Sequence, residues 1–132
     1  MVNLDYEIIL YVENQEISTR FYQSILCQEP SLCVFGMTSF TLSDNVKLGL
    51  MPNSGISKII TPKMPNPKLG FGIPRCELYI KTELAEERFN KALQLGAKLV
   101  DSFSNRDWGD CVGYLSDPDG HIIAFAKKQI NQ

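Results

Sequence analysis

The chain has one histidine, one tryptophan and no Cys-x-x-Cys pair, and each scarcity removes a class of chemistry. A single histidine, His121, allows no relay between two imidazoles. The four cysteines, Cys27, Cys33, Cys76 and Cys111, are expected to be reduced, buried or half-buried small hydrophobes rather than zinc ligands or staples. There is no Gly-rich phosphate loop and no Gly-x-Ser-x-Gly elbow. No apolar run approaches the ~18 residues of a membrane span. Met1-Val2-Asn3-Leu4-Asp5 has no basic region ahead of an apolar stretch, so no secretory signal is expected and a cytoplasmic location follows as the default. Net charge is −2 and the Lys and Arg residues form no stripe, so nucleic acid is not an expected partner, and without a spanning run neither is a membrane.

What remains is ordinary for a soluble globular protein, with 44% hydrophobic and 21% charged residues among 132. That length fits one domain, or two small modules sharing a sheet.

Residues 5–12 form a strand candidate with Ile8, Leu10 and Val12 on one face and Glu7, Ile9 and Tyr11 on the other. Asn14 is placed to cap a helix over 15–26, where Ile17, Phe21 and Ile25 recur every four residues, and Gln28-Glu29-Pro30 ends it. Short strands are predicted at 32–36, 38–43 and 46–51, the last two joined by a turn at Asp44-Asn45. From Pro52 to Pro74 lie five of the seven prolines with Gly55, Gly70 and Gly72. That composition discourages regular structure and points to a crossover between modules, long enough to cover a site or a partner surface. A strand over 76–80 follows, then a helix capped by Thr82, lined by Leu84, Ala85, Phe89, Ala92 and Leu93, and stopped by Gly96. Residues 97–103 and a hairpin through Asp117-Pro118-Asp119-Gly120 complete the chain, Pro118 presetting φ and Gly120 supplying the positive φ that closes the turn.

Each half therefore reads β-α-β-β-β, and the halves match residue against residue. Leu10-Tyr11 returns as Leu78-Tyr79 and Arg20-Phe21 as Arg88-Phe89, at an offset of 68. Later the offset is 75, where Val46-Lys47-Leu48-Gly49-Leu50 meets His121-Ile122-Ile123-Ala124-Phe125. The extra residues of the second half are expected in the polar stretch from Ser102 to Asp107. Strand parity places Ile8, Leu10, Val12, Leu48, Leu50, Cys76, Leu78, Ile80, Ile123 and Phe125 beneath the helices. The opposite face carries Glu7, Tyr11, Gly49, Arg75, Glu77, Tyr79 and Ala124, a mixture of aromatic, charged and small residues suited to the floor of a ligand groove.

These features resemble the vicinal oxygen chelate superfamily, which includes glyoxalase I, extradiol dioxygenases, fosfomycin-modifying enzymes and bleomycin-resistance proteins. The resemblance rests on the paired modules, the Leu-Tyr-Val…Arg-Phe-Tyr…Ile-Leu opening, and Trp108-Gly109…Tyr114…Asp117-Pro118-Asp119-Gly120-His121. It implies an α+β fold in which two β-α-β-β-β modules, over 5–51 and 75–128 with a linker over 52–74, form a curved, mostly antiparallel eight-stranded sheet of half-barrels with helices on the convex face.

In metal-using branches the resemblance implies four ligands on that floor, which map by the offsets to Glu7, Gly49, Arg75 and Ala124. Gly49 and Ala124 offer no donor and Arg75 is a permanent cation, so only Glu7 could ligate. The pattern is closest to the metal-free bleomycin-resistance branch, whose members sequester a ligand in grooves at a dimer interface. The expectation is a homodimer that binds a small, antibiotic-like organic molecule through Glu7, Tyr11, Arg75, Tyr79, Trp108 and Tyr114. No metal, cofactor or catalytic residue is assigned. The alternatives are a metal-dependent lyase, isomerase or dioxygenase of glyoxalase (lactoylglutathione lyase) type drawing on Glu7, Glu77 and His121, or an accessory subunit that lost the pocket.

Overall fold

The computed structural model describes residues 3–130, so the opening Met1-Val2 lies outside the described residues. Two compact units divide the chain, the first ending at Phe71 and the second beginning at Gly72. Each is a four-stranded mixed sheet with a helix on one face.

The first unit runs β1 (Tyr6–Val12), α1 (Gln15–Leu26), β2 (Leu32–Val34), β3 (Met37–Ser43) and β4 (Val46–Pro52). The strand order is β1-β4-β3-β2. A crossover through a helix makes β1 and β4 parallel, whereas the short turns make β3 antiparallel to both its neighbours. Asn14 caps α1, its Oδ1 accepting from the Ile17 N–H at 3.0 Å. Parity places Leu10, Val12, Leu48 and Leu50 in the core, as expected, but Ile8 is 55% exposed. The buried stripe of α1 also differs from the one predicted. Ser18, Thr19, Tyr22 and Ile25 face inward and Ile17 is exposed, the Thr19 and Thr38 hydroxyls bonding at 2.8 Å beneath the helix.

The Pro-rich stretch is more regular than expected. Pro52 stands in extended conformation immediately before α2 (Asn53–Ile60), and Pro67 opens a 3-10 turn at Pro67–Gly70. Proline is tolerated before and at the first position of a helix, where its missing N–H has no partner to lose, so these prolines bracket the helices. Ile56 is buried, and α2 packs on β4 and β1.

The second unit repeats the pattern with β5 (Glu77–Lys81), α3 (Ala85–Gln94), β6 (Lys98–Asn105), β7 (Asp110–Ser116) and β8 (Ile122–Lys128), in the order β5-β8-β7-β6. Ala85, Phe89 and Ala92 of α3 pack over the sheet. A Cβ at Gly113 would lie 2.5 Å from the Phe89 ring, so that glycine is what lets the helix settle. The expected insertion at 102–107 is largely strand, and the β6–β7 register shifts between Leu99 and Asp101 and again between Asp101 and Ser104. All four cysteines are free, but Cys27, Cys33 and Cys76 are exposed, contrary to expectation. Among the described residues no helix is long and apolar enough to cross a membrane.

Candidate functional site

The most developed polar and aromatic arrangement lies on the helix-free face of the second unit. Tyr79, Ala124 and Tyr114 are opposed in one row across β5, β8 and β7. Adjacent strands lie about 4.8 Å apart, so the two tyrosine Cα atoms are separated by about 10 Å with only a methyl group between them. Both side chains pack on Val112, Ala124 and Ala126, all of which are fully buried.

The Tyr79 hydroxyl is held from two sides. It donates to Asp110 Oδ2 at 2.6 Å and accepts from the Trp108 Nε1–H at 2.8 Å. Asp110, itself buried, also lies 3.6 Å from Lys81 Nζ. Burial, aided by the hydrogen bond to Asp110, raises the Tyr79 pKa despite the opposing indole donor. Burial also raises that of Tyr114, with Glu77 adding to the rise and Arg106 opposing it. Neither phenol is therefore poised as an acid–base catalyst near neutral pH. One face of Tyr114 is covered by the Arg106 guanidinium, 5.0 Å from the ring centroid and anchored by Asp101 at 2.8 Å. Trp108 tops the group on the β6–β7 turn, 59% exposed.

On the corresponding face of the first unit, Ser39 Oγ donates to Glu7 Oε2 at 2.6 Å. The carboxylate occupies the space over Gly49, where a Cβ would stand 2.5 Å from that oxygen. Glu7 also borders an open depression of about 380 Å³ with Asp5, Tyr6, Asp44, Asn45 and Lys47. Tyr11 is half-buried opposite Met51. A larger depression of about 660 Å³ at Glu13, Gln15, Val34, Phe35 and Pro52 contains none of the six predicted ligand contacts.

Arg75 is not on a strand. It precedes β5 and donates from Nε to the Ile73 carbonyl and from Nη2 to the Asp119 carbonyl. Strand pairing corrects the map that placed it opposite Glu7 in the repeat. Glu7 pairs with Lys47, whereas Ile122, the repeat partner of Lys47, pairs with Glu77. The four mapped positions are thus Glu7, Gly49, Glu77 and Ala124.

Two carboxylates and two donorless residues fall short of the three protein ligands typical of a catalytic divalent ion. Ala124 is moreover sealed beneath the tyrosines, and among the described residues no three His, Cys, Asp or Glu side chains converge. These residues do not fit the ion of the metal-using branches. His121 offers no substitute. It is buried in the Asp117–Gly120 turn with Nδ1 2.8 Å from Asp117 Oδ2, and Asp117 also accepts the Asp119 and His121 N–H groups.

Of the residues named from the sequence, Tyr79, Trp108 and Tyr114 are brought together by the fold, whereas their neighbours Asp110, Arg106 and Lys81 were not named. Their partners are up to 31 residues away in the chain, and only strand register reveals them.

Paired β-α-β-β-β units, each with one helix-covered and one open face, define a protein of the vicinal oxygen chelate class. The chain belongs to the glyoxalase-like domain family, whose model matches residues 6–128. No curated protein matches it in sequence. Among solved structures it is similar to a glyoxalase-related enzyme from Fulvimarina pelagi, with a TM-score of 0.78 and 17% identity over 96% of this chain and 89% of that one. A glyoxalase/bleomycin resistance protein/dioxygenase from Nocardioides gives 0.78 and 15% over 100% and 87%. A glyoxalase/bleomycin resistance protein from Catenulispora acidiphila gives 0.66 and 17% over 96% and 100%. At these identities the likeness is one of fold.

Proposed function

We propose that this chain binds a small, flat organic molecule without metal chemistry, on the open face of its second unit. The observation that carries this reading is the sealing of Ala124, at the last mapped ligand position, by Tyr79 and Tyr114. That position offers aromatic surface where an ion-binding relative would need a donor. Trp108 is exposed yet tethered through its N–H, so a ligand meets a ring already oriented, and little side-chain freedom is lost on binding. Arg106 over Tyr114 and Lys81 beside Asp110 supply polar edges.

Glu7, Tyr11 and Arg75 are further contacts to test by substitution. A homodimer and a cytoplasmic location complete the reading, the first checked by light scattering and the second by fractionation. The metal-dependent lyase, isomerase or dioxygenase alternative would draw on His121, whose ring is engaged in its own turn.

Trp108 is the only tryptophan, so its emission reports on the site directly. Titration with bleomycin or anilinonaphthalene sulfonate, with chelator present, should change that emission saturably, and Tyr114→Ala should weaken the response. An unchanged emission, or a response equal in Tyr114→Ala, would sink the reading.

A further inference from the structure

Charge is segregated along this chain in a way its net value of −2 conceals. From Asn45 to Cys76 there are five Lys or Arg residues and no Asp or Glu, although the chain holds 15 acidic residues. Within that span a pair recurs every five residues, Lys58-Ile59, Lys63-Met64 and Lys68-Leu69. All three lysines are exposed, and the apolar partners are exposed to 75%, 58% and 70%, with Phe71 following at 53%. The first pair lies on α2 and the third on the 3-10 turn, and those two elements pack together within the first unit.

We propose that this segment is a docking surface for an anionic lipid bilayer. The segment itself carries no carboxylate, and Glu13, which accepts from Asn53 at the start of α2, lies at the end of the helix away from Lys58, so the three lysines select a negatively charged partner by simple complementarity. The apolar chains select a bilayer over an acidic protein. Ile59, Met64 and Leu69 differ in shape and each follows a lysine, with Phe71 between two glycines, without the packed centre that a protein interface requires. A fluid interface accepts such chains individually while each neighbouring lysine extends its stem and keeps its ammonium among the head groups. This surface lies outside the face assigned to ligand binding and stands independently of that assignment. It also departs from the expectation of no membrane partner, which rested on the lack of a spanning apolar run and does not bear on surface docking.

The test is sedimentation of the full chain with vesicles of phosphatidylcholine alone or mixed with phosphatidylglycerol. Binding to the mixed vesicles only, weakening as salt rises, is expected. Each lysine near an anionic surface contributes about fivefold, so Lys58→Gln/Lys63→Gln/Lys68→Gln should weaken binding about a hundredfold. Ile59→Ser/Met64→Ser/Leu69→Ser, which keeps every charge, should also weaken it at least tenfold. All six positions are exposed, and circular dichroism verifies that both variants fold. Equal binding by the serine variant would reduce the effect to general charge attraction and overturn the proposal. So would capture of the chain by polyglutamate without binding to mixed vesicles, which would assign the surface to an acidic protein.

Discussion

Replacing Tyr79 by Phe removes one oxygen and keeps the ring. That oxygen is the donor to Asp110 at 2.6 Å and the acceptor for Trp108 at 2.8 Å. Asp110 is 7% exposed, and its next cation, Lys81, stands at 3.6 Å, beyond hydrogen-bond distance. A hydrogen bond to a charged group contributes about 1.5–3 kcal/mol. The ring's packing on Val112, Ala124 and Ala126 is retained, so little is added for lost apolar contact. The expected cost is about 2 kcal/mol, or roughly 6–10 °C in melting temperature for a chain of this size. The same change frees the Trp108 N–H to water, so its emission should move to longer wavelength. Urea unfolding followed by tryptophan fluorescence reads both quantities in one experiment. A variant within about 0.5 kcal/mol of the parent, with unshifted emission, would refute the view that this hydroxyl organises the face.

Gly113→Ala drives a Cβ into the Phe89 ring and should cost about 2 kcal/mol, partly recovered when Phe89→Leu is added, as a double-mutant cycle in urea would show. Asp117→Ala leaves two N–H groups and the buried imidazole without their acceptor and should cost about 3 kcal/mol in urea unfolding while leaving ligand titrations unchanged. Alkaline pH should destabilise the chain through Tyr79 and Tyr114, whose folded pKa values are raised by burial. An unfolded tyrosine ionises near pH 10 while the folded one keeps its proton, so the native state holds more protons there and stability falls as pH rises. Below that pH the contribution is fully present. The Cys76 thiol is also raised, by the partial burial of its sulfur and by Asp117, so Tyr79→Phe/Tyr114→Phe should flatten the loss above about pH 10 in a Cys76→Ser background, measured by urea unfolding.

Most of the architecture was readable from periodicity, because a half-buried strand must alternate and a packed helix must repeat. Two of the errors of placement show their physical causes clearly. Arg75 was put in the position of Glu77 because the match of Leu10-Tyr11 to Leu78-Tyr79 fixes an offset two residues away from the one that strand pairing reveals. A slip of two preserves which face each side chain occupies, so no parity argument detects it. The helix α2 was missed because prolines were counted without regard to position, and Pro52 and Pro62 lie just outside its ends. The aromatic residues of the open face could be named, Tyr79 from strand parity and Trp108 and Tyr114 from the family resemblance. The hydrogen bonds that orient them depend on Asp110, which meets Tyr79 only through the register of β7 on β8 and of β8 on β5.

The four positions that bind an ion in the metal-using branches hold only two donors here, Glu7 and Glu77, beside Gly49 and the buried Ala124. The direct measurement is metal content by mass spectrometry of the purified, untagged chain after exposure to zinc, nickel or manganese and removal of free ion. The account predicts well under one ion per chain, unchanged by Glu7→Ala or Glu77→Ala. About one tightly held ion per chain, lost when either carboxylate is removed, would contradict it.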